Sequence, residues 1–86
     1  MAGSPAIAVN LSEVLYRKGD LERARFYIRR VNSIPNLVSA QTLWLAARIE
    51  NKFGNTAGVA DFGGQLRNRF PESPEASSYA EGRFHE

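Results

Sequence analysis

Glycine and proline recur along this chain at nearly the same spacing. Gly19 and Gly54 are 35 residues apart, and Pro35 and Pro71 are 36 residues apart. Glycine can end a helix in the left-handed conformation, and proline disfavours helical geometry in the residue before it. A period of about 34 residues with two helices per unit is typical of helical repeat proteins. The spacing therefore predicts an all-α chain built from two helical hairpins.

The first hairpin is predicted over residues 5–36, after a flexible N-terminus at residues 1–4. A helix over residues 5–18 is expected to begin with Ser4 as its N-cap and Pro5 in its first turn. Gly19 ends this helix, and Asp20 caps a second one that stops near Asn32. Apolar residues at helical spacing indicate the buried faces. They are Ile7, Leu11, Val14 and Leu15 in the first helix and Leu21, Ala24, Ile28 and Val31 in the second.

The second hairpin is predicted over residues 37–71, followed by a capping helix and tail at residues 72–86. Ser39 or a nearby residue starts the third helix, Gly54-Asn55 closes it, and the fourth helix runs to Phe70. The expected inward residues are Leu43, Ala46, Ala47, Ile49 and Phe53, then Val59, Phe62, Leu66 and Phe70. Ser73-Pro74 predicts a fifth short helix, through about Gly82, that covers the open end of the second hairpin.

Two adjacent glycines, Gly63 and Gly64, lie inside the fourth predicted helix. Each costs about 1 kcal/mol of helix stability relative to alanine. Close packing against a neighbouring helix is the favoured explanation, and a hinge or contact site is the alternative.

The composition argues against an enzyme or a metal protein. The chain has no cysteine and one histidine, His85, in a polar C-terminal tail where solvent exposure is expected. No Ser-His-Asp or Cys-His set can be assembled around that histidine. We therefore expect no catalytic residues, no cofactor, no metal site and no small-molecule substrate. The net charge of +2 does not favour nucleic acid as a partner, and no run of about 18 apolar residues predicts a membrane span.

The repeat spacing resembles the tetratricopeptide repeat. With Gly19 as the turn glycine, the family's signature positions in the first unit hold Ala8, Leu11, Ser12, Leu15, Ala24, Ile28 and Val31. In the second unit they hold Leu43, Ala46, Ala47, Glu50, Gly54, Val59, Gly63, Leu66 and Pro71. The second unit departs from the family pattern at Glu50 and Gly63, where apolar or bulkier residues are usual.

Three longer strings narrow the resemblance. Residues 24–30 (ARFYIRR), 43–50 (LWLAARIE) and 67–75 (RNRFPESPE) look like the C-terminal part of the PilF/PilW proteins. Those are outer-membrane tetratricopeptide lipoproteins of type IV pilus biogenesis and stability. The resemblance implies a protein-interaction module that assists assembly of the pilus secretin or pilus stability. It also implies a periplasmic location, associated with the outer membrane through a longer parent protein. The alternative is a cytoplasmic repeat scaffold or adaptor unrelated to pili.

In tetratricopeptide arrays the first helix of each hairpin lines a binding groove, so the resemblance also implies a site. The candidate groove residues are Val9, Glu13, Tyr16, Arg17, Gln41, Trp44, Arg48, Asn51 and Lys52. Tyrosine, tryptophan and arginine are enriched at binding hot spots. For Trp44 two interpretations stay open, packing between repeats and anchoring a partner in the groove.

A second group of residues is basic. It comprises Arg17, Lys18, Arg23, Arg25, Arg29 and Arg30. A solvated helix face is the favoured interpretation, because positive charge at a helix C-terminus complements the helix dipole. An acidic protein or lipid surface and a nucleic acid are the alternatives.

Overall fold

The computed structural model describes residues 5–85. Within them the chain forms five α-helices, α1 (Pro5–Lys18), α2 (Leu21–Asn32), α3 (Ala40–Phe53), α4 (Thr56–Arg69) and α5 (Pro74–Ala80). A short 3-10 helix, Pro35–Leu37, joins α2 to α3 and was not predicted. Helices α1 and α2 form one hairpin, α3 and α4 form the next, and α5 packs on α3 and α4. The all-α fold class and the hairpin arrangement are confirmed. The predicted N-cap, Ser4, lies outside the described residues.

The two hairpin turns have the same construction. Gly19 and Gly54 adopt positive φ angles of 84° and 72°. The residue after each glycine donates its N–H to a carbonyl in the last turn of the preceding helix. Asp20 donates to the Leu15 carbonyl at 2.9 Å, and Asn55 donates to the Glu50 carbonyl at 3.0 Å. The side chains of Asp20 and Asn55 then cap the next helix by accepting a backbone N–H three residues on. One glycine and one capping residue therefore suffice to reverse the chain.

Serine caps begin α3 and α5, as predicted. Ser39 accepts the Thr42 N–H at 3.2 Å, and Thr42 Oγ1 accepts the Ser39 N–H at 2.8 Å, which is a capping box. Ser73 accepts the Ala76 N–H at 3.0 Å, with Pro74 in the first turn of α5. Helix α5 ends at Ala80, two residues short of the predicted end.

The apolar interior consists of two adjoining clusters, and α3 contributes to both. The first core cluster joins α1, α2 and α3 and comprises Leu15, Ala24, Ile28, Val31, Leu45, Ala46 and Ile49. The second joins α3, α4 and α5 and comprises Leu43, Trp44, Ala47, Leu66 and Ala76. Every residue from 42 to 50 is buried, so α3 is the central element of the fold.

Three predicted core residues are exposed, and those predictions were wrong. Ile7 is 60% exposed, Val14 47% and Phe53 37%. The first helix buries a narrower face, in which Ser12 is fully buried and its hydroxyl donates to the Ala24 carbonyl of α2 at 2.8 Å. A hydrogen bond of this kind makes it possible to bury a polar side chain at a close helix–helix contact.

Glu50, which departs from the tetratricopeptide pattern, is paired with an arginine of α2. Glu50 is 1% exposed, and its carboxylate accepts from Arg25 Nε at 2.8 Å and from Arg25 Nη2 on α2. Asn55, the cap of α4, donates to the same carboxylate at 2.9 Å. The Arg25 hydrogen bonds are the largest influence on Glu50 and hold its pKa below the ordinary value against the opposing effect of burial. One buried carboxylate thereby ties α2, α3 and the start of α4 together.

Gly63, which also departs from the tetratricopeptide pattern, lies where α5 packs closely on α4. Gly63 is buried in α4, and a Cβ atom there would lie within 3.0 Å of three ring atoms of Tyr79. Close packing, the favoured explanation, is therefore confirmed for Gly63. A Cβ on the adjacent Gly64 would meet nothing within 4 Å, so packing does not explain that glycine.

Candidate protein-binding site

Four of the nine predicted groove residues lie together where α1 faces α3. Glu13 and Tyr16 come from α1, and Trp44 and Arg48 come from α3. We call this group the aromatic–arginine cluster. On each helix its members are three or four positions apart, so they share one helix face.

Arg48 is the centre of the aromatic–arginine cluster. Its guanidinium carbon lies 5.2 Å from the centre of the Tyr16 ring and 5.7 Å from that of Trp44. Its Nη2 atom is 3.4 Å from Glu13 Oε1, and the residue is only 8% exposed. A cation between two aromatic faces and opposite a carboxylate is well compensated for its partial burial. Arg48 therefore fixes α1 against α3 and sets the spacing of the two rings.

The C-terminal residues cover the aromatic–arginine cluster. The ring centre of Phe84 lies 5.3 Å from that of Trp44, at an interplanar angle of 33°, and 6.3 Å from that of Tyr79, edge to face. The Tyr16 hydroxyl donates to the Phe84 carbonyl at 3.4 Å. Trp44, which also belongs to the second core cluster, is only 7% exposed.

Tyr16 is suited to donate that hydrogen bond. Burial, the largest influence, raises the pKa of its hydroxyl above the ordinary value, while Arg48 acts in the opposite direction. The hydroxyl therefore keeps its proton at neutral pH and can donate to a backbone carbonyl.

The other five predicted residues are spread around the aromatic–arginine cluster. Val9 is half-buried against the first core cluster, and Asn51 is also half-buried. Arg17, Gln41 and Lys52 are exposed, and Arg17 Nε lies 3.4 Å from Glu13 Oε2. The exposed rim of the site is thus polar and includes two cations.

The sequence reasoning missed two site residues, Tyr79 and Phe84. The signal was Gly82, which has a φ of 70° and hydrogen bonds like those of the other turn glycines. A third left-handed glycine after a helix predicts a third reversal of the chain. That reversal brings an aromatic residue of the tail back toward the hairpins. His85, next to Phe84, is exposed as expected.

Three arginines of α2 have acidic or aromatic partners. Arg23 lies 3.5 Å from Asp20, Arg29 lies 3.7 Å from Glu50, and the Arg30 guanidinium lies 5.6 Å from the Phe26 ring centre. An open depression of about 480 Å³ runs along this face. It is lined by Glu22, Arg25, Phe26, Arg29, Arg30 and Ser33.

Within residues 5–85, no group of three or more histidine, cysteine, aspartate or glutamate side chains is arranged to hold a metal ion. No helix in that range is both long and apolar enough to cross a membrane. Comparison of the chain with protein-family models, with curated proteins and with solved structures finds no match in any of the three.

Proposed function

We propose that this chain is a non-enzymatic protein-interaction module that binds a short partner segment on the face of α1 and α3. The observation that carries this proposal is the position of Phe84 on this face. A non-helical stretch of polypeptide lies on this face with its aromatic ring against Trp44 and its backbone carbonyl bonded to Tyr16. Several peptide-recognition modes combine main-chain hydrogen bonds with pockets for side chains.

The residue types at the site support the same proposal. Tyrosine, tryptophan and arginine contribute most of the binding energy in many protein interfaces, particularly where polar neighbours exclude water around them. Here Tyr16, Trp44 and Arg48 form the centre, and the exposed Arg17 and Lys52 belong to the rim. The cationic rim would favour a partner segment with acidic residues.

For the biological setting we propose type IV pilus biogenesis, with the secretin or another pilus-assembly component as the partner. The three strings that resemble the PilF/PilW proteins support this setting, as does the hairpin arrangement expected for that family. In this proposal the module works in the periplasm, held at the outer membrane through its parent protein.

One observation favours the alternative, a cytoplasmic repeat scaffold. All eight residues of the string at 43–50 are buried, so packing alone gives a reason for those residue types. A scaffold with a different partner would need the same interior.

Capture from cell extracts tests both the binding face and the setting. The immobilised chain would be incubated with envelope extract, and the retained secretin and pilin measured by immunoblot, with cytosolic extract run in parallel. A double charge reversal on the rim, Arg17→Glu with Lys52→Glu, should reduce secretin capture at least severalfold. The charge-matched control is Arg67→Glu with Arg69→Glu, two exposed arginines on α4, which should capture as the wild type does.

These substitutions are preferable to alanine at Trp44 or Arg48, because both of those residues are buried and their removal would disturb the fold. Equal secretin capture by the rim variant and the control would refute the binding face. Retention of a partner from cytosolic extract alone would replace the pilus setting by the scaffold alternative.

A further inference from the structure

The C-terminal residues 81–85 occupy the surface assigned above to a partner. We infer that this tail is an intramolecular ligand of the aromatic–arginine cluster, and that a partner segment binds by displacing Phe84 with an aromatic residue of its own. The inference rests on the proposed function, because it concerns the same face of α1 and α3.

The tail reaches that face through a defined turn. After α5 ends at Ala80, Gly82 adopts a φ of 70° and its N–H donates to the Tyr79 carbonyl at 3.1 Å. The Arg83 N–H donates to the Ser78 carbonyl at 2.9 Å, which completes the reversal. Phe84 is thereby directed back across α3 to Tyr16, a residue 68 positions earlier in the chain.

Phe84 is the tail residue that contacts the cluster through both its side chain and its backbone. Its ring packs on Trp44 and Tyr79, and its carbonyl accepts from Tyr16. Arg83 forms an ion pair with Glu81 at 3.1 Å, and its Nη2 donates to Ser78 Oγ of α5 at 3.5 Å. A seat that depends mainly on one aromatic side chain can be vacated without unfolding α1 to α4.

The seated tail also indicates the chemistry of a competing partner. The site accepts a flat aromatic ring beside Trp44, and the Tyr16 hydroxyl donates a hydrogen bond to a backbone carbonyl. The partner is therefore a short non-helical protein segment with a phenylalanine-like residue.

The fraction of molecules in which the tail occupies the site determines how much the tail weakens partner binding. The apparent dissociation constant equals the intrinsic one divided by the fraction of molecules whose site is open. A tail seated in about 90–99% of molecules would weaken partner binding by about 10- to 100-fold. Removing the Phe84 ring should recover that factor.

The test uses the full chain and a probe taken from its own tail. A fluorescein-labelled peptide with the sequence of residues 81–86 is titrated by fluorescence anisotropy into wild type and into Phe84→Ala. We expect at least about 10-fold tighter binding to Phe84→Ala, and no binding of a peptide whose phenylalanine is replaced by alanine. Trp44, the only tryptophan, should show red-shifted emission in Phe84→Ala as the indole becomes exposed. His85→Ala, a change at the exposed neighbour of Phe84, should behave as wild type.

A second variant leaves the Phe84 side chain intact. Gly82→Val places a β-branched residue at a positive φ, which disfavours the turn without adding a contact within 4 Å at the Cβ position. It should also bind the peptide more tightly than wild type.

The possible outcomes separate the two proposals. Equal peptide affinity for wild type, Phe84→Ala and Gly82→Val would overturn displacement by the partner while leaving the binding face intact. Absence of peptide binding to all three would overturn the inferred partner chemistry. The secretin capture by the rim variant is measured independently and decides the proposed function.

Discussion

The adjacent glycines of α4 offer the sharpest test of how α5 is docked. A methyl group at position 63 would enter the Tyr79 ring, whereas a methyl group at position 64 would meet nothing within 4 Å. Neither glycine has a positive φ, so alanine is compatible with the backbone at both positions. Gly63→Ala and Gly64→Ala are therefore chemically identical changes that differ only in what lies opposite.

The two changes should have opposite effects on the free energy of unfolding. Each gains about 1 kcal/mol from the higher helix propensity of alanine. Gly64→Ala keeps this gain, which should raise the Tm by about 4–8 °C. Gly63→Ala must also displace the Tyr79 ring, and overpacking of this kind costs about 1–3 kcal/mol.

The upper part of that range is expected, because the ring has little room to move. Tyr79 packs against the second core cluster, and its ring lies directly over the α4 backbone at Gly63. With a steric cost of about 3 kcal/mol, Gly63→Ala falls about 2 kcal/mol below wild type. The difference in Tm between the two variants should then exceed about 10 °C.

Thermal and urea denaturation followed by circular dichroism would measure the stability of both variants. A double-mutant cycle would combine Gly63→Ala with Tyr79→Ala. Truncating the ring removes the obstacle, so Gly63→Ala should stabilise a Tyr79→Ala background by about 1 kcal/mol. The reasoning is refuted if Gly63→Ala is as stable as Gly64→Ala, or if its penalty persists when Tyr79 is alanine.

Three further substitutions probe local features. Because Arg25 holds the pKa of Glu50 below its ordinary value, the stability from this pair is present above the unfolded-state pKa of about 4.3 and is lost as the pH falls through the folded-state value. Glu50→Gln should thus lower the free energy of unfolding at pH 7 by about 1.5–3 kcal/mol. In urea titrations the difference in this free energy between wild type and variant should shrink in acid. A difference that does not change with pH would contradict the ion-pair explanation. Ser39→Ala removes the capping box of α3 and should cost about 1 kcal/mol in the same titration, whereas no change would show that the cap is dispensable. Gly54→Ala forces alanine to a φ of 72° and should cost about 1–2 kcal/mol, so a gain in Tm would refute the left-handed turn.

The helix ends could be predicted from the sequence because they depend on local chemistry. Gly19 and Gly54 act through their own backbone conformation, and Asp20, Ser39 and Ser73 cap helices through an N–H three residues on. None of these signals requires knowledge of the tertiary structure.

The buried faces were harder to predict, because periodicity marks apolar residues without showing which of them has a neighbour. The apolar residues of α1 cover a wider arc than the face that α2 and α3 cover, so Ile7 and Val14 remain outside. Phe53 lies in the last turn of α3, where the Arg25 guanidinium, 4.2 Å from the ring centre, covers part of it. For the same reason, apolar periodicity could not predict the burial of Ser12, which is a polar residue.

The candidate site could be predicted only in part. The helix faces bring Glu13, Tyr16, Trp44 and Arg48 together, since their spacing on α1 and α3 follows from the helical repeat. The position of Phe84 depends instead on the direction in which the chain leaves α5. That direction is set by the turn at Gly82 and by the Trp44 and Tyr79 rings together, and periodicity carries no information about it.

The burial of residues 42 to 50 of α3 has a consequence for the stability of the whole chain. Leu45 and Ile49 belong to the first core cluster, while Leu43 and Ala47 belong to the second. Neither hairpin has a complete apolar interior without this helix. A linear array of repeats can lose one unit at a time, because each unit contacts only its neighbours. Here α3 belongs to the second hairpin but also completes the core of the first, so both hairpins are expected to melt in a single cooperative transition.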